Sequence, residues 1–258
     1  MAKKNKANGV GVVPQLIAHR GYSGRYPENT LLAYQAAYAY GGRWMELDIQ
    51  LTEDLIPIVH HDVSLQRMAG VDLDIRRVKA KQLKKYSAFY PERFADEFVG
   101  NGFTKLKHLV KWASTHKDIR LFIEIKQQSI DEFGVPVCMD EVFRRIKKIQ
   151  QQCVIISFND EILDYARKTN SLEVGWVIPE WSDSVQQRAE QLQPEFLFTN
   201  KKHLPEDKQS WWSGSWVWAI YNVDTPEEAL QWFDKGIDLI ETNELGLLVR
   251  HEAFANGS

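Results

Sequence analysis

Short apolar runs that alternate with amphipathic stretches constrain this chain more than any other feature. Nine runs read as strands: Gln15–His19, Arg43–Leu51, Ile56–His61, Arg120–Lys126, Val154–Phe158, Glu173–Ile178, Phe196–Thr199, Val217–Tyr221 and Leu239–Thr242. Most are continuously apolar, as strands buried on both faces are. The stretches between them carry helical spacing. Asn29–Tyr40 puts Leu31, Tyr34 and Tyr38 on one side, and Lys105–Thr115, Asp140–Gln150, Asp160–Thr169, Asp183–Gln191 and Pro226–Lys235 read alike. The last opens with Thr225-Pro226-Glu227-Glu228, placing proline in the first turn and acids at the positive end of the helix dipole. Such alternation implies a parallel sheet with right-handed crossovers.

One connection cannot be a crossover. Only Thr52–Leu55 separates the second and third runs, whereas a parallel crossover needs about a dozen residues. That pair is therefore an antiparallel hairpin. Setting its return aside leaves eight parallel strands, the number that closes a (β/α)8, or TIM, barrel. A chain of 258 residues is long enough for one such α/β barrel as a single domain, residues 1–258. Residues 62–101 are charged and mixed, with Tyr86, Phe89, Tyr90, Phe94 and Phe98, and read as a small insertion before the third parallel strand. Residues 1–12 read as a flexible tail.

Charge narrows the function. With 32 Lys and Arg against 35 Asp and Glu, the net charge is −3, which excludes the basic excess of a dedicated nucleic-acid binder. No apolar run reaches the ~18 residues of a membrane span. Lys3, Lys4 and Lys6 are followed by no apolar segment of the signal-peptide kind, and two cysteines, Cys138 and Cys153, make no disulfide framework. These features predict a reducing, cytoplasmic location.

Active sites of such barrels lie at the carboxyl ends of the strands. There the sequence places His19 and Arg20, Glu46 and Asp48, His61, and Glu124 and Lys126. Residues two apart on a strand share a face, so Glu46 aligns with Asp48, and Glu124 with Lys126. A hairpin centred on Glu53-Asp54 sets His61 opposite Glu46 and turns His60 to the other face; a slip of one residue would reverse that choice. Three converging carboxylates without cysteine suit one divalent cation, Mg2+ or Ca2+, which also relieves their mutual repulsion. Two histidines can exchange a proton near neutral pH, and Arg20 and Lys126 can face a phosphate. Metal, acid–base pair and cations together describe phosphoryl transfer.

These residues carry a family resemblance. Ala18-His19-Arg20-Gly21, Pro27-Glu28-Asn29-Thr30, Glu46-Leu47-Asp48 with Leu51-Thr52, His61-Asp62 with Leu65 and Arg67, and Glu124-Ile125-Lys126 resemble the glycerophosphodiester phosphodiesterases. The resemblance runs over most of the chain and is densest from His19 to Arg67. It implies a metal-dependent phosphodiesterase on a TIM barrel that cleaves glycerophosphodiesters to glycerol 3-phosphate and an alcohol. Carried over, Glu46, Asp48 and Glu124 would bind the metal, and His19 and His61 would be the acid–base pair. Arg20 and Lys126 would hold the phosphate, with Asn29 and Trp218 as further substrate-binding candidates. The implied partner is a small-molecule glycerophosphodiester, with no nucleic acid, no membrane span and no specified oligomeric state.

Three departures stand out. Leu55 occupies the hairpin position where the family usually has glycine, which predicts a different turn. Asn222 lies one position late in Trp218-Ala219-Ile220-Tyr221-Asn222, and the final strand reads Ile240-Glu241-Thr242-Asn243. The competing readings are a lysophospholipase D-type enzyme on the same barrel, with an apolar channel from Tyr86–Phe98; a glycosidase using Glu46 and Glu124; and a non-catalytic phosphodiester-binding barrel. His60, His108, His116, His203 and His251 read as structural or surface residues.

Overall fold

A computed structural model describes residues 13–255; the tail expected over residues 1–12 lies outside them. Ten strands form one sheet: β1 (Gln15–Ala18), β2 (Trp44–Leu51), β3 (Pro57–Val59), β4 (Thr104–Lys105), β5 (Arg120–Ile125), β6 (Cys153–Ser157), β7 (Glu173–Val177), β8 (Phe196–Asn200), β9 (Val217–Tyr221) and β10 (Leu239–Thr242). Eight of them run parallel in the order β1-β10-β9-β8-β7-β6-β5-β2, and β2 returns to β1 to close the barrel. The expected (β/α)8 barrel is the observed one.

Strand parity divides the core. Ile17, Phe122, Val154, Ile156, Val177, Phe196, Phe198, Ala219 and Leu239 point inward and pack together, while the alternate residues meet the helices outside. Phe122 sits edge-on to Phe196 and Phe198, with ring centroids 5.2 and 5.4 Å apart, and plugs the barrel. Gly175 is required there: a Cβ on it would lie 2.9 Å from Ile156 Cγ2.

The helices Leu31–Ala39, Leu106–Ala113, Asp160–Asn170, Asp183–Leu192 and Pro226–Asp234 follow the expected periodicity. The stretch expected over Asp140–Gln150 is instead the helix Val135–Ile146, preceded by Gln127–Phe133. Between β8 and β9 there is no α-helix, only two 3-10 turns. Tryptophans fill that space: Trp212 stacks on Trp181 at 4.1 Å, and both approach Trp218. Trp218 therefore belongs to the outer layer. Its neighbour Ala219 holds the inward position, so Trp218 is not among the residues lining the cavity at the barrel end, contrary to the expectation.

The hairpin is antiparallel as required, but its register is Ile49↔Val59, Gln50↔Ile58 and Leu51↔Pro57, one residue off the expected pairing. Leu55 takes the left-handed conformation itself, with φ 55°, so leucine stands in the backbone geometry that glycine favours. Residues 62–101 carry short helical turns over a cluster of their own, with Ile58, Leu65, Ile75, Val78, Ala80 and Leu83 buried together. They return through β4, which pairs with β3. Cys138 and Cys153 are both free and buried. No helix among the described residues is long and apolar enough to cross a membrane.

Candidate functional site

Sheet register brings the polar residues together. Ile17 of β1 pairs with Glu241 of β10, and Asp48 of β2 pairs with Glu124 of β5. Ala18 pairs with Met45, so the next residues, His19 and Glu46, meet as well; His19 Nε2 lies 3.9 Å from Glu46 Oε2 and 3.2 Å from Glu241 Oε1. The resulting cavity has a volume of about 340 Å³ at the carboxyl ends of the strands. Its lining includes His19, Arg20, Glu46, His61, Glu124 and Lys126, all anticipated, and Tyr221, Glu241 and Asn243, which were not. Ile156, Phe158, Val177 and Phe198 form the apolar remainder.

The His19 loop is built around backbone that few residues tolerate. Arg20 has φ 57° and Gly21 φ 79°. A Cβ on Gly21 would lie 2.7 Å from the backbone of Ala33, so only glycine lets this loop rest on the helix Leu31–Ala39. The twist turns the Arg20 N–H onto Glu46 Oε2 at 3.0 Å. It also carries the guanidinium to Glu28 at 2.8 Å and Asp48 at 3.0 Å. Lys126 pairs with Glu124 at 2.7 Å and Asp48 at 3.2 Å. Asn29 does not line the cavity: its amide donates to Asp48 Oδ2 at 2.8 Å, and its oxygen accepts from Tyr34, so it orients Asp48.

Both histidines are anchored at one nitrogen. His61 Nδ1 pairs with Asp62 at 2.6 Å, and Asp62 is held by Arg67 at 2.7 Å. His19 Nδ1 donates to Asn243 Oδ1 at 2.8 Å. In each case Nε2 is the nitrogen left for chemistry. The register slip did not exchange His60 for His61, because β3 ends at Val59. His60 N–H still bonds Asp48 O at 2.9 Å, but the chain then bends; the His60 ring turns to Phe103 and Ser64 O while His61 reaches the cavity.

The electrostatics are those of an acid-rich, buried site. Burial opposes the charge of Asp48, but Arg20, Lys126 and the Asn29 hydrogen bond hold it well below the usual carboxylate range. Glu46 is pushed well above that range by burial and by the charges of Asp48, Glu241 and Glu124. Burial also raises Glu124, and raises Glu241 to about 8 with the help of Glu124. Burial and the Arg20 charge lower His19 to about 4. Glu46 Oε1 is buried without a hydrogen-bond partner. Two donor sets could hold a cation: Glu46, Asp48 and Glu124, and His19, Glu46 and Glu241, each with ligand atoms within 4.8 Å of one another. Glu241 escaped the sequence reading, although an acid two residues before Asn243 and two after Leu239 has the inward parity of its strand.

Comparison with known proteins agrees with the geometry. Residues 19–247 match the model of the glycerophosphoryl diester phosphodiesterase family. A glycerophosphodiester phosphodiesterase of Caldanaerobacter subterraneus is 27% identical over 242 residues, covering 91% of this chain and 96% of that protein. The crystal structure of a glycerophosphodiester phosphodiesterase from Thermotoga maritima superposes with a TM-score of 0.72 at 26% identity, over 92% of this chain and 97% of that one. A phosphodiesterase from Oleispira antarctica, solved with its product sn-glycerol 3-phosphate, shares the fold with a TM-score of 0.80 at 23% identity, over 92% and 95% of the two chains. A family match over most of the barrel, with the family's His-Arg-Gly, Glu-x-Asp and Glu-x-Lys residues gathered at one end of it, places this chain in the glycerophosphodiester phosphodiesterase family, as a phosphoric diester hydrolase.

Proposed function

We propose that the chain hydrolyses small glycerophosphodiesters to glycerol 3-phosphate and an alcohol, using one divalent cation, Mg2+ or Ca2+, and the pair His19 and His61. The observation that carries the reading is the convergence of Glu46, Asp48 and Glu124 with one Glu46 oxygen buried and unpaired. Like-charged buried acids are costly unless a cation joins them. The all-oxygen donor set fits a hard ion, which would supply Lewis-acid polarisation of a phosphoryl oxygen. Residues 62–101 are, in this reading, an insertion within one barrel domain.

The chain's own residues do the rest. Arg20 and Lys126 are held over Asp48 and line the cavity, so a phosphate there meets two fixed positive charges. His19, kept neutral by burial and by the Arg20 charge, takes the proton of the attacking hydroxyl at Nε2. The attacking group is the neighbouring glycerol hydroxyl, which then closes a cyclic phosphate for water to open. His61, with Asp62 on its Nδ1, protonates the departing alkoxide from Nε2. Ile156, Phe158, Val177 and Phe198 face the alcohol.

The aromatic residues of the insertion do not supply a channel. Phe94 packs edge-on against Phe98 and Tyr90, and Phe98 also meets Tyr26, none of them in the cavity lining. Turnover of glycerophosphodiesters of small alcohols to glycerol 3-phosphate should therefore be faster than turnover of lysophospholipids to lysophosphatidic acid. A panel of both, assayed for glycerol 3-phosphate and lysophosphatidic acid, decides it; turnover confined to acylated members would overturn the small-substrate reading.

A further inference from the structure

Glu241 has no part in the proposed hydrolysis, yet it is buried in the same cavity, and the cavity's cations are committed elsewhere. Arg20 pairs with Glu28 and Asp48, and Lys126 with Glu124 and Asp48. Glu241 faces His19 Nε2 instead, at 3.2 Å. We propose that His19, Glu46 and Glu241 form a second cation site that takes a transition-metal ion of the Zn2+ type. The proposal rests on the reading that Glu46, Asp48 and Glu124 hold the first ion, with Glu46 shared between the two.

Three observations support it. The three donors lie within 4.8 Å of one another. His19 is prepared as a ligand: its Nδ1–H donates to Asn243 Oδ1, which also accepts from Ser23 Oγ at 2.9 Å, while Asn243 Nδ2 donates to Asp224 at 3.1 Å. Such anchoring fixes the tautomer with the Nε2 lone pair directed at the acids, as metal-binding histidines require. Finally, Glu46 uses one oxygen on the Arg20 N–H and leaves Oε1 buried and unpaired, so the carboxylate is able to serve two ions.

The donor chemistry separates the sites. The first is all oxygen and suits Mg2+ or Ca2+; the second adds an imidazole nitrogen and suits Zn2+. An ion on His19 Nε2 occupies the nitrogen that would carry the proton, so filling the second site silences His19. Zn2+ should therefore inhibit an enzyme already saturated with Mg2+.

The test is crystallographic and thermodynamic. Protein saturated with Mg2+ is titrated with ZnCl2, bound zinc is counted by equilibrium dialysis, and crystals are examined for anomalous scattering at the zinc edge. The proposal expects a zinc peak joining His19, Glu46 and Glu241, with affinity at that position falling at least tenfold in Glu241→Gln. The zinc inhibition constant should rise in step. Zinc found only among Glu46, Asp48 and Glu124 would overturn the second site and leave the first standing. An intact His19–Glu241 contact with no ion at either set would overturn both. The wild-type map decides the matter even where Glu241→Gln fails to fold.

Discussion

The two halves of the cavity differ in kind. Adjacent strands β10, β1, β2 and β5 and the residues that follow them contribute Glu241, His19, Glu46, Glu124 and Lys126, with Asp48 buried beside them, whereas β6, β7 and β8 contribute Ile156, Val177 and Phe198, with Phe158 following β6. In the polar half each side chain is fixed by a named partner, and the carboxylates are far from their ordinary ionisation. The apolar half is held by packing alone, and Phe158 at its rim is 42% exposed. On the proposed function the contrast is a division of labour: charge and proton transfer on one arc of the barrel, accommodation of the alcohol on the other.

The sharpest way to break that division is at the histidines. His19→Ala should lower kcat by about 10²–10⁴ with any leaving group. His61→Ala should lose as much with an alkyl alcohol but far less with a nitrophenol, whose departure needs no proton. Steady-state kinetics with both substrates check this; equal losses for both variants on both substrates would remove the assigned roles.

A second prediction tests the polar half through stability. Burial would raise Glu28, but the Arg67 hydrogen bond and the Arg20 charge lower it to about 2. A folded-state value below the unfolded one, ~4.3, gives stability that is present above ~4.3 and lost as pH falls through about 2. Two units correspond to about 3 kcal/mol. Glu28→Gln should cost that order at pH 7 and lose less stability than the wild type between pH 4.5 and 2, as read by denaturant unfolding at each pH.

Phe158→Ala probes the other half. It should change kcat/KM by about tenfold or less, the scale of ~1.4 kcal/mol, and only in proportion to the apolar size of the alcohol. A uniform loss across alcohols would place Phe158 in the chemistry and dissolve the contrast. The smallest effect is expected at Leu55. Relieving its left-handed backbone by Leu55→Gly should stabilise the chain by about 1 kcal/mol or less, measured by thermal unfolding, with turnover unchanged.

The polar arc was legible in the sequence because charge inside a buried strand is costly and therefore informative. His19, Glu46, Asp48 and Glu124 stood out against apolar neighbours, and the four-residue gap before Ile56 forced the hairpin. Register was not legible. The pairing slipped by one, and His61 kept its place only because β3 ends at Val59. Leu55 suggested an altered turn, yet the chain keeps a turn in which the Leu55 N–H bonds Thr52 O at 2.8 Å and leucine takes a conformation glycine would adopt more cheaply. Trp218 looked like a pocket residue because aromatic residues suit both cores and sites; parity relative to Ala219 decided it. The apolar arc left no trace, since Ile156, Val177 and Phe198 read like any buried strand residue.

The most direct test of the central claim is turnover of a glycerophosphodiester after EDTA treatment and restoration, compared between wild type and Glu124→Gln. The account predicts loss of glycerol 3-phosphate release in EDTA, recovery with Mg2+ or Ca2+, and little recovery in Glu124→Gln at the same ion concentration. Full activity in EDTA, or a Glu124→Gln variant restored as readily as the wild type, would contradict it.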